Sequence, residues 1–308
     1  MLNQLNRKLL SLAFGATLGF VALNAQECAS TDSSFDYGSA PSYDFSDCGQ
    51  SCDDTPTCSP YALKIGYTSP RSIPSKQGYT TLAAFYCPTQ FDCWAPYADL
   101  RLHWIDNGRF AGNVGLGIQR RIFSRWGTGV IRSYAYYDWR KTSFKSYSQV
   151  TVGSEWLGNR FDLRLNAYLP TERQGHAHDV RVFHFRGGYY AKRERLQYTW
   201  SGLEFDISKR LGFFNCLDIY LSVGPYWWKS RHNSTTGVKF RAETTVWKGL
   251  NLAVQTSYDK HFRNRTFGEI SWTFPLWGGC GCEQVCCEPV RRTELIVLNK
   301  HCHWKTNY

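Results

Sequence analysis

The chain has 308 residues, enough for one large domain or two small ones. Its 36 lysines and arginines against 25 acids give a formal charge of +11, which argues against a basic partner and for an anionic one. Past the N-terminus no stretch approaches the roughly 20 apolar residues of a membrane helix, so a helical membrane protein is excluded. Aromatics make up 16% of the chain and methionine occurs once, at the start, a balance that suits β structure better than a helical bundle.

The first 25 residues read as a secretory signal. Arg7 and Lys8 precede an apolar run from Leu9 to Leu23, and Ala25 offers a small residue for cleavage. Gly15, Thr17 and Gly19 interrupt that run, which is too short for a membrane anchor. Gln26 and Glu27 stand before Cys28, so no lipobox is present. Residues 26–60 are rich in Ser, Asp, Pro and Cys without periodicity. They read as an irregular periplasmic segment.

All 12 cysteines lie beyond the signal, and an exported protein keeps cysteines mainly as disulfides. The candidates are Cys28, Cys48, Cys52 and Cys58 in the irregular segment, Cys87 and Cys93 around a short loop, and Cys280, Cys282, Cys286 and Cys287 near the end. Together with His301, Cys302 and His303 the last group could be written as a zinc site. Its Cys-x-Cys and Cys-x₃-Cys-Cys spacings do not fit paired zinc knuckles, so disulfides are preferred and no metal is expected. Pairing is not readable from spacing.

From Thr80 onward the chain becomes a series of short alternating segments. Strands are predicted over Thr80–Cys87, Tyr97–Asp106, Phe110–Arg121, Thr128–Trp139, Tyr147–Trp156 and Phe161–Leu169. They continue over Val182–Ala191, Gln197–Ile207, Cys216–Tyr226, Gly237–Val246, Leu250–Asp259 and Thr266–Phe274. In Phe161–Leu169, Leu163, Leu165 and Ala167 fall on one face and Asp162, Arg164, Asn166 and Tyr168 on the other. Such alternation fits a soluble sandwich as well as a membrane barrel. Aromatic strand ends (Trp104, Trp156, Tyr168, Tyr226, Trp227, Tyr258, Trp272 and Phe274) and basic turn clusters such as Arg140, Lys141 and Lys145 favour the barrel, as interfacial girdles and lipid-phosphate contacts. The expected fold is all-β: a single antiparallel transmembrane barrel of about 12 strands, at residues 61–279, followed by a Cys-rich segment at 280–308.

The strand count leaves one inconsistency. With both ends on one side, the odd-numbered turns should be the longer ones, yet Pro170–Arg181 falls on an even turn. Either Tyr61–Tyr67 is an additional strand or one assignment within Val182–Ile207 is wrong.

Polar residues on the inner face would line the lumen: Arg101, Glu155, Asp162, Arg164, Asp218, Lys239, Arg241 and Glu243, with Asp99, His103, Glu204, Asp206 and Glu269 beside them. Such a set fills a barrel with paired charge, and can also line a conduit or grip a linker. No Gly-x-Ser-x-Gly or comparable nucleophile signature accompanies the histidines, so no catalytic residue, cofactor or enzymatic activity is expected. The basic residues fall at both ends of strands instead of on one face, and with the export signal this argues against nucleic acid.

Four runs then carry a resemblance: Ala111-Gly112-Asn113-Val114-Gly115-Leu116-Gly117, Tyr134-Ala135-Tyr136-Tyr137-Asp138, Val152-Gly153-Ser154-Glu155-Trp156-Leu157-Gly158, and Asp162 through Asn166-Ala167-Tyr168-Leu169-Pro170. With Gly78-Tyr79-Thr80-Thr81-Leu82, Pro289-Val290-Arg291-Arg292 and Ile296-Val297-Leu298, the chain resembles the inverse autotransporter β-domain, the translocator of intimin- and invasin-like adhesins. The resemblance implies a twelve-stranded outer-membrane barrel whose C-terminal linker threads the lumen and carries a passenger to the cell surface. This chain ends at Tyr308, so the expectation is a surface or envelope protein without a passenger. A porin-like channel for small polar solutes and a disulfide-cross-linked envelope scaffold are the alternatives. The partners expected are outer-membrane lipid, the barrel-assembly machinery, and a host-surface ligand or disulfide-linked envelope proteins.

Overall fold

The computed structural model describes residues 60–87, 94–124, 127–143, 145–158, 161–172, 176–184, 190–214, 217–231, 233–247, 249–276 and 289–307. The predicted signal, the segment 26–59 and the cysteines at 93 and 280–287 lie outside the described residues.

Among the described residues there are fifteen strands. Twelve close into one antiparallel barrel: β1 (Tyr61–Thr68), β2 (Tyr79–Tyr86), β3 (Ala95–Ile105), β4 (Arg109–Ser124), β5 (Gly127–Lys141), β6 (Ser146–Gly158) and β7 (Asp162–Pro170), then β10 (Ser201–Phe214), β11 (Leu217–Lys229), β12 (Ser234–Trp247), β13 (Leu250–Asp259) and β14 (Arg263–Pro275). β7 pairs directly with β10, Leu163 opposite Ile207. β1 closes the ring against β14, Ile65 opposite Trp272, so the barrel itself has no open strand edge. The strands omitted from the barrel, β8 (His176–His184) and β9 (Tyr190–Thr199), form a separate three-stranded sheet with β15 (Leu298–Asn307), in the order β15-β9-β8.

This topology corrects the strand assignment and removes the turn inconsistency. Tyr61–Thr68 is the first barrel strand. Val182–Ala191 is not one strand: it covers the end of β8 and the start of β9, outside the barrel. Gln197–Ile207 divides at Trp200, between β9 and β10. The connection after Pro170 is therefore the seventh turn. The odd turns (69–78, 106–108, 142–145, 171–200, 230–233 and 260–262) include both long ones and lie at one end of the barrel, the upper mouth. At the opposite end, the lower mouth, the turns are 87–94, 125–126, 159–161, 215–216 and 248–249, mostly short.

The alternation is inside out relative to a soluble sandwich. On β3 Asp99, Arg101 and His103 are at most 3% exposed, whereas Leu100, Leu102 and Trp104 are 47%, 48% and 61% exposed. Burying charges while Leu116, Val254 and Phe240 face outward is costly in water and favourable in hydrocarbon. Aromatic side chains edge this apolar belt at both mouths: Tyr67, Trp104, Phe110, Tyr137 and Tyr258 above, Tyr61, Tyr86, Trp272 and Phe274 below.

Candidate functional site: a threaded lumen

Every inward position of the barrel is set by the two-residue period, so side chains from distant strands converge on one interior. The wall is built of paired charges. Arg101 holds Asp99 at 2.5 Å, and the Tyr136 hydroxyl donates to the same carboxylate at 2.7 Å. Arg164 bonds Asp162 at 2.9 Å and the Ser208 hydroxyl at 2.7 Å, and its Nε lies 3.4 Å from Glu155, which also faces Arg132 at 3.7 Å. Across the lumen Lys239 sits between Glu204 at 3.1 Å and Asp206 at 2.9 Å. Arg241 joins Glu243 at 3.0 Å to Glu269 at 2.9 Å, and Lys64 completes that group. The structure thus places twelve of the thirteen predicted lumen residues inside the barrel. The thirteenth, Asp218, lies on β11 with its side chain outside the described residues.

Through this interior runs the segment 289–297. β14 ends at the lower mouth and β15 pairs with β9 above the upper mouth, so the segment between them crosses the whole lumen. Val290 enters among Phe85, Cys87, Tyr97, Val130, Tyr134 and Leu157, all toward the lower mouth. Cys87, one of the disulfide candidates, is fully buried there, and Gln119 Nε2 donates to its sulfur at 2.8 Å. The next residues are matched to the wall one by one. Arg101 donates to the Val290 carbonyl at 2.7 Å, and the Arg291 guanidinium reaches Glu243 at 3.3 Å. Arg292 makes a two-pronged contact with Asp138 at 2.7 and 3.1 Å and lies over the Tyr136 ring, 3.9 Å from its centroid. Both side chains of that ion pair are at most 1% exposed. Thr293 donates its backbone N–H to the Tyr168 hydroxyl at 2.8 Å and its own hydroxyl to Glu204 at 2.7 Å. Glu294 closes the ladder on Arg101 at 2.6 Å, and its carbonyl accepts from Asn113 at 2.9 Å.

Behind these contacts a buried relay braces the wall. The Thr81 hydroxyl is 2.9 Å from His103 Nδ1, His103 Nε2 is 2.6 Å from the Asn113 carbonyl oxygen, and Asn113 donates to Asp138 at 2.7 Å. A polar network of this kind is stable only when its members are satisfied together, which fixes the position of the Asp138 carboxylate that receives Arg292.

Several predicted roles move. Tyr168 and Tyr226 are not girdle residues: both point inward and are 0% and 2% exposed, because they share the parity of Asn166 and Gly224. Arg140 is not a rim cation. It faces the lumen and donates to the carbonyls of Pro74 and Ile296, both at 2.7 Å, tying the first turn to the threaded segment. Sequence reasoning missed Asp138, Arg132, Asn113 and Glu294 as lumen residues. Asp138 closes the aromatic run Tyr134–Tyr137, and its parity with Tyr134 and Tyr136 was the available signal.

No protein-family model matches the sequence, and no curated protein matches it. Among solved structures, a protein from a study of the in-meso crystallisation of membrane proteins aligns over 78% of this chain and 99% of its own, at 11% identity and a TM-score of 0.57. The outer membrane protein Omp33 of Acinetobacter baumannii aligns over 71% of this chain and 100% of its own, at 8% identity and a TM-score of 0.35. The β-domain of the Bordetella autotransporter BrkA aligns over 71% and 99%, at 13% identity and a TM-score of 0.34. The first likeness shows the fold: this chain is a closed, twelve-stranded antiparallel membrane β-barrel.

Proposed function

We propose that this protein is an outer-membrane barrel of the inverse-autotransporter kind, which holds its own C-terminal segment in the lumen and presents the end of that segment at the outer face. The single observation that carries this reading is the threading of residues 289–297 from the lower mouth to the upper, ending in a strand paired with β9. The short turns, which in such barrels face the periplasm, lie at the mouth where the segment enters. The motif runs that resemble inverse autotransporter β-domains supply the strands and the segment involved. In this role the chain has no chemistry to perform: it anchors and displays, its belt meets lipid, and assembly machinery inserts it. Adhesion to a host ligand would belong to the upper turns and the β8-β9-β15 sheet.

A general diffusion pore is the competing reading, and the ladder of contacts filling the lumen favours the first. The test is direct. The protein is expected in the outer-membrane fraction of cells. Once purified, it is expected to migrate differently on gels before and after boiling, and to pass almost no current in a planar bilayer. A steady open conductance would support the pore, and recovery in the soluble periplasm without a gel shift would remove the membrane assignment altogether.

A further inference from the structure

The threaded segment changes character after Glu294. Leu295, Ile296 and Val297 come next, each 1% exposed. Leu295 packs on Tyr79, Ile105 and Ala111, from β2, β3 and β4. Val297 packs on Tyr168 of β7, Trp200 just before β10, and Tyr226 and Trp228 of β11, with Ile73 and Phe262 reaching in from the turns at 69–78 and 260–262. The two groups come from facing arcs of the wall, so Leu295 and Val297 sit in an apolar collar across the upper mouth, and Arg140 of β5 holds the carbonyl of Ile296 between them.

The collar is built closely. Tyr168 and Trp228 have ring centroids 5.0 Å apart, and Trp200 lies 5.4 Å from Phe262 and 5.0 Å from His261. Gly202 makes room for it: a methyl group there would overlap the Trp228 indole, so only glycine lets that ring lie flat on the wall. The backbone N–H of Trp200 donates to the Val297 carbonyl at 3.1 Å. The indole N–H groups of Trp200 and Trp228, both rings fully buried, have no hydrogen-bond partner among the described residues. Buried donors are normally paired.

We propose that this collar is a binding site for an extended aliphatic peptide segment and that it, not the charged ladder below, seals the lumen. The inference rests on the threaded-barrel reading. Ion pairs that loosen can take up water and let ions pass, whereas an apolar constriction excludes ions by excluding water. Leu295-Ile296-Val297 is the stopper in that constriction.

The test uses the full chain in planar bilayers. The triple variant Leu295→Ser, Ile296→Ser, Val297→Ser keeps Arg291, Arg292 and Glu294 in place, and mean current at fixed voltage is expected to rise at least about tenfold over the native protein. Leu116→Ala, on the lipid face, stays closed. A triple variant that still shows the gel shift but stays as closed as the native chain overturns the collar. If the triple variant loses the shift, Trp228→Leu, which dismantles the collar wall and leaves the segment intact, is read by the same two outcomes. A native protein that conducts steadily would instead overturn the threaded-barrel reading on which the inference stands.

Discussion

Replacing Arg292 by leucine is expected to destabilise the barrel by about 3–5 kcal/mol, because it leaves the Asp138 carboxylate buried without its counter-charge. The ion pair is inaccessible to solvent on both sides, so solvent screening gives no relief. Arg292 also lies over Tyr136, and Asp138 accepts from Asn113 and from the Thr151 hydroxyl at 2.5 Å, so the loss spreads through the relay. The temperature at which the unboiled gel form converts to the boiled form reports it. Adding Asp138→Asn should restore much of the loss, since the remaining group is then neutral and still hydrogen-bonded. Equal conversion temperatures for the native and Arg292→Leu proteins would show that the segment does not occupy this position.

Removing residues 289–308 is the second large change. The twelve strands and the β1–β14 closure do not depend on the segment, so the barrel should still form and still shift on boiling. Its lumen, however, would lose the Val290 contact below, the ladder on Glu243, Asp138, Glu204 and Arg101, and the stopper above. A stable conductance in planar bilayers is expected from the truncated protein and almost none from the full chain. Truncated protein that forms a barrel yet remains closed would mean that the wall side chains fill the lumen by themselves.

Most of the barrel was legible in the sequence because alternation has one physical cause along every strand: inward residues meet charge and outward residues meet lipid. Phe161–Leu169 illustrates this, with Asp162, Arg164 and Asn166 buried in the lumen and Leu165 45% exposed outside. What failed was the region 176–199. Val182–Ala191 is apolar enough to pass for a spanning strand, but Gly187-Gly188 within it is a hairpin signal that outranks its composition. Parity also outranked residue type at the strand ends. An aromatic or arginine near a mouth reads as a rim residue, yet Tyr168, Tyr226 and Arg140 follow the inward period and contribute to the interior. The matching of Arg292 to Asp138 and Glu294 to Arg101 was not legible at all, since it joins residues 154 and 193 positions apart through a path that only the closed ring defines.

The central claim is that the segment crosses from one mouth to the other, and it is tested by placing the same epitope at three sites and labelling intact cells. One copy is inserted after Asn307, one lies in the turn at 230–233 at the upper mouth, and one in the turn at 215–216 at the lower mouth. The epitope after Asn307 is expected to be labelled together with the one at 230–233, while the one at 215–216 is reached only after permeabilisation. Labelling of the Asn307 epitope only under the conditions that reveal 215–216 would contradict the threading.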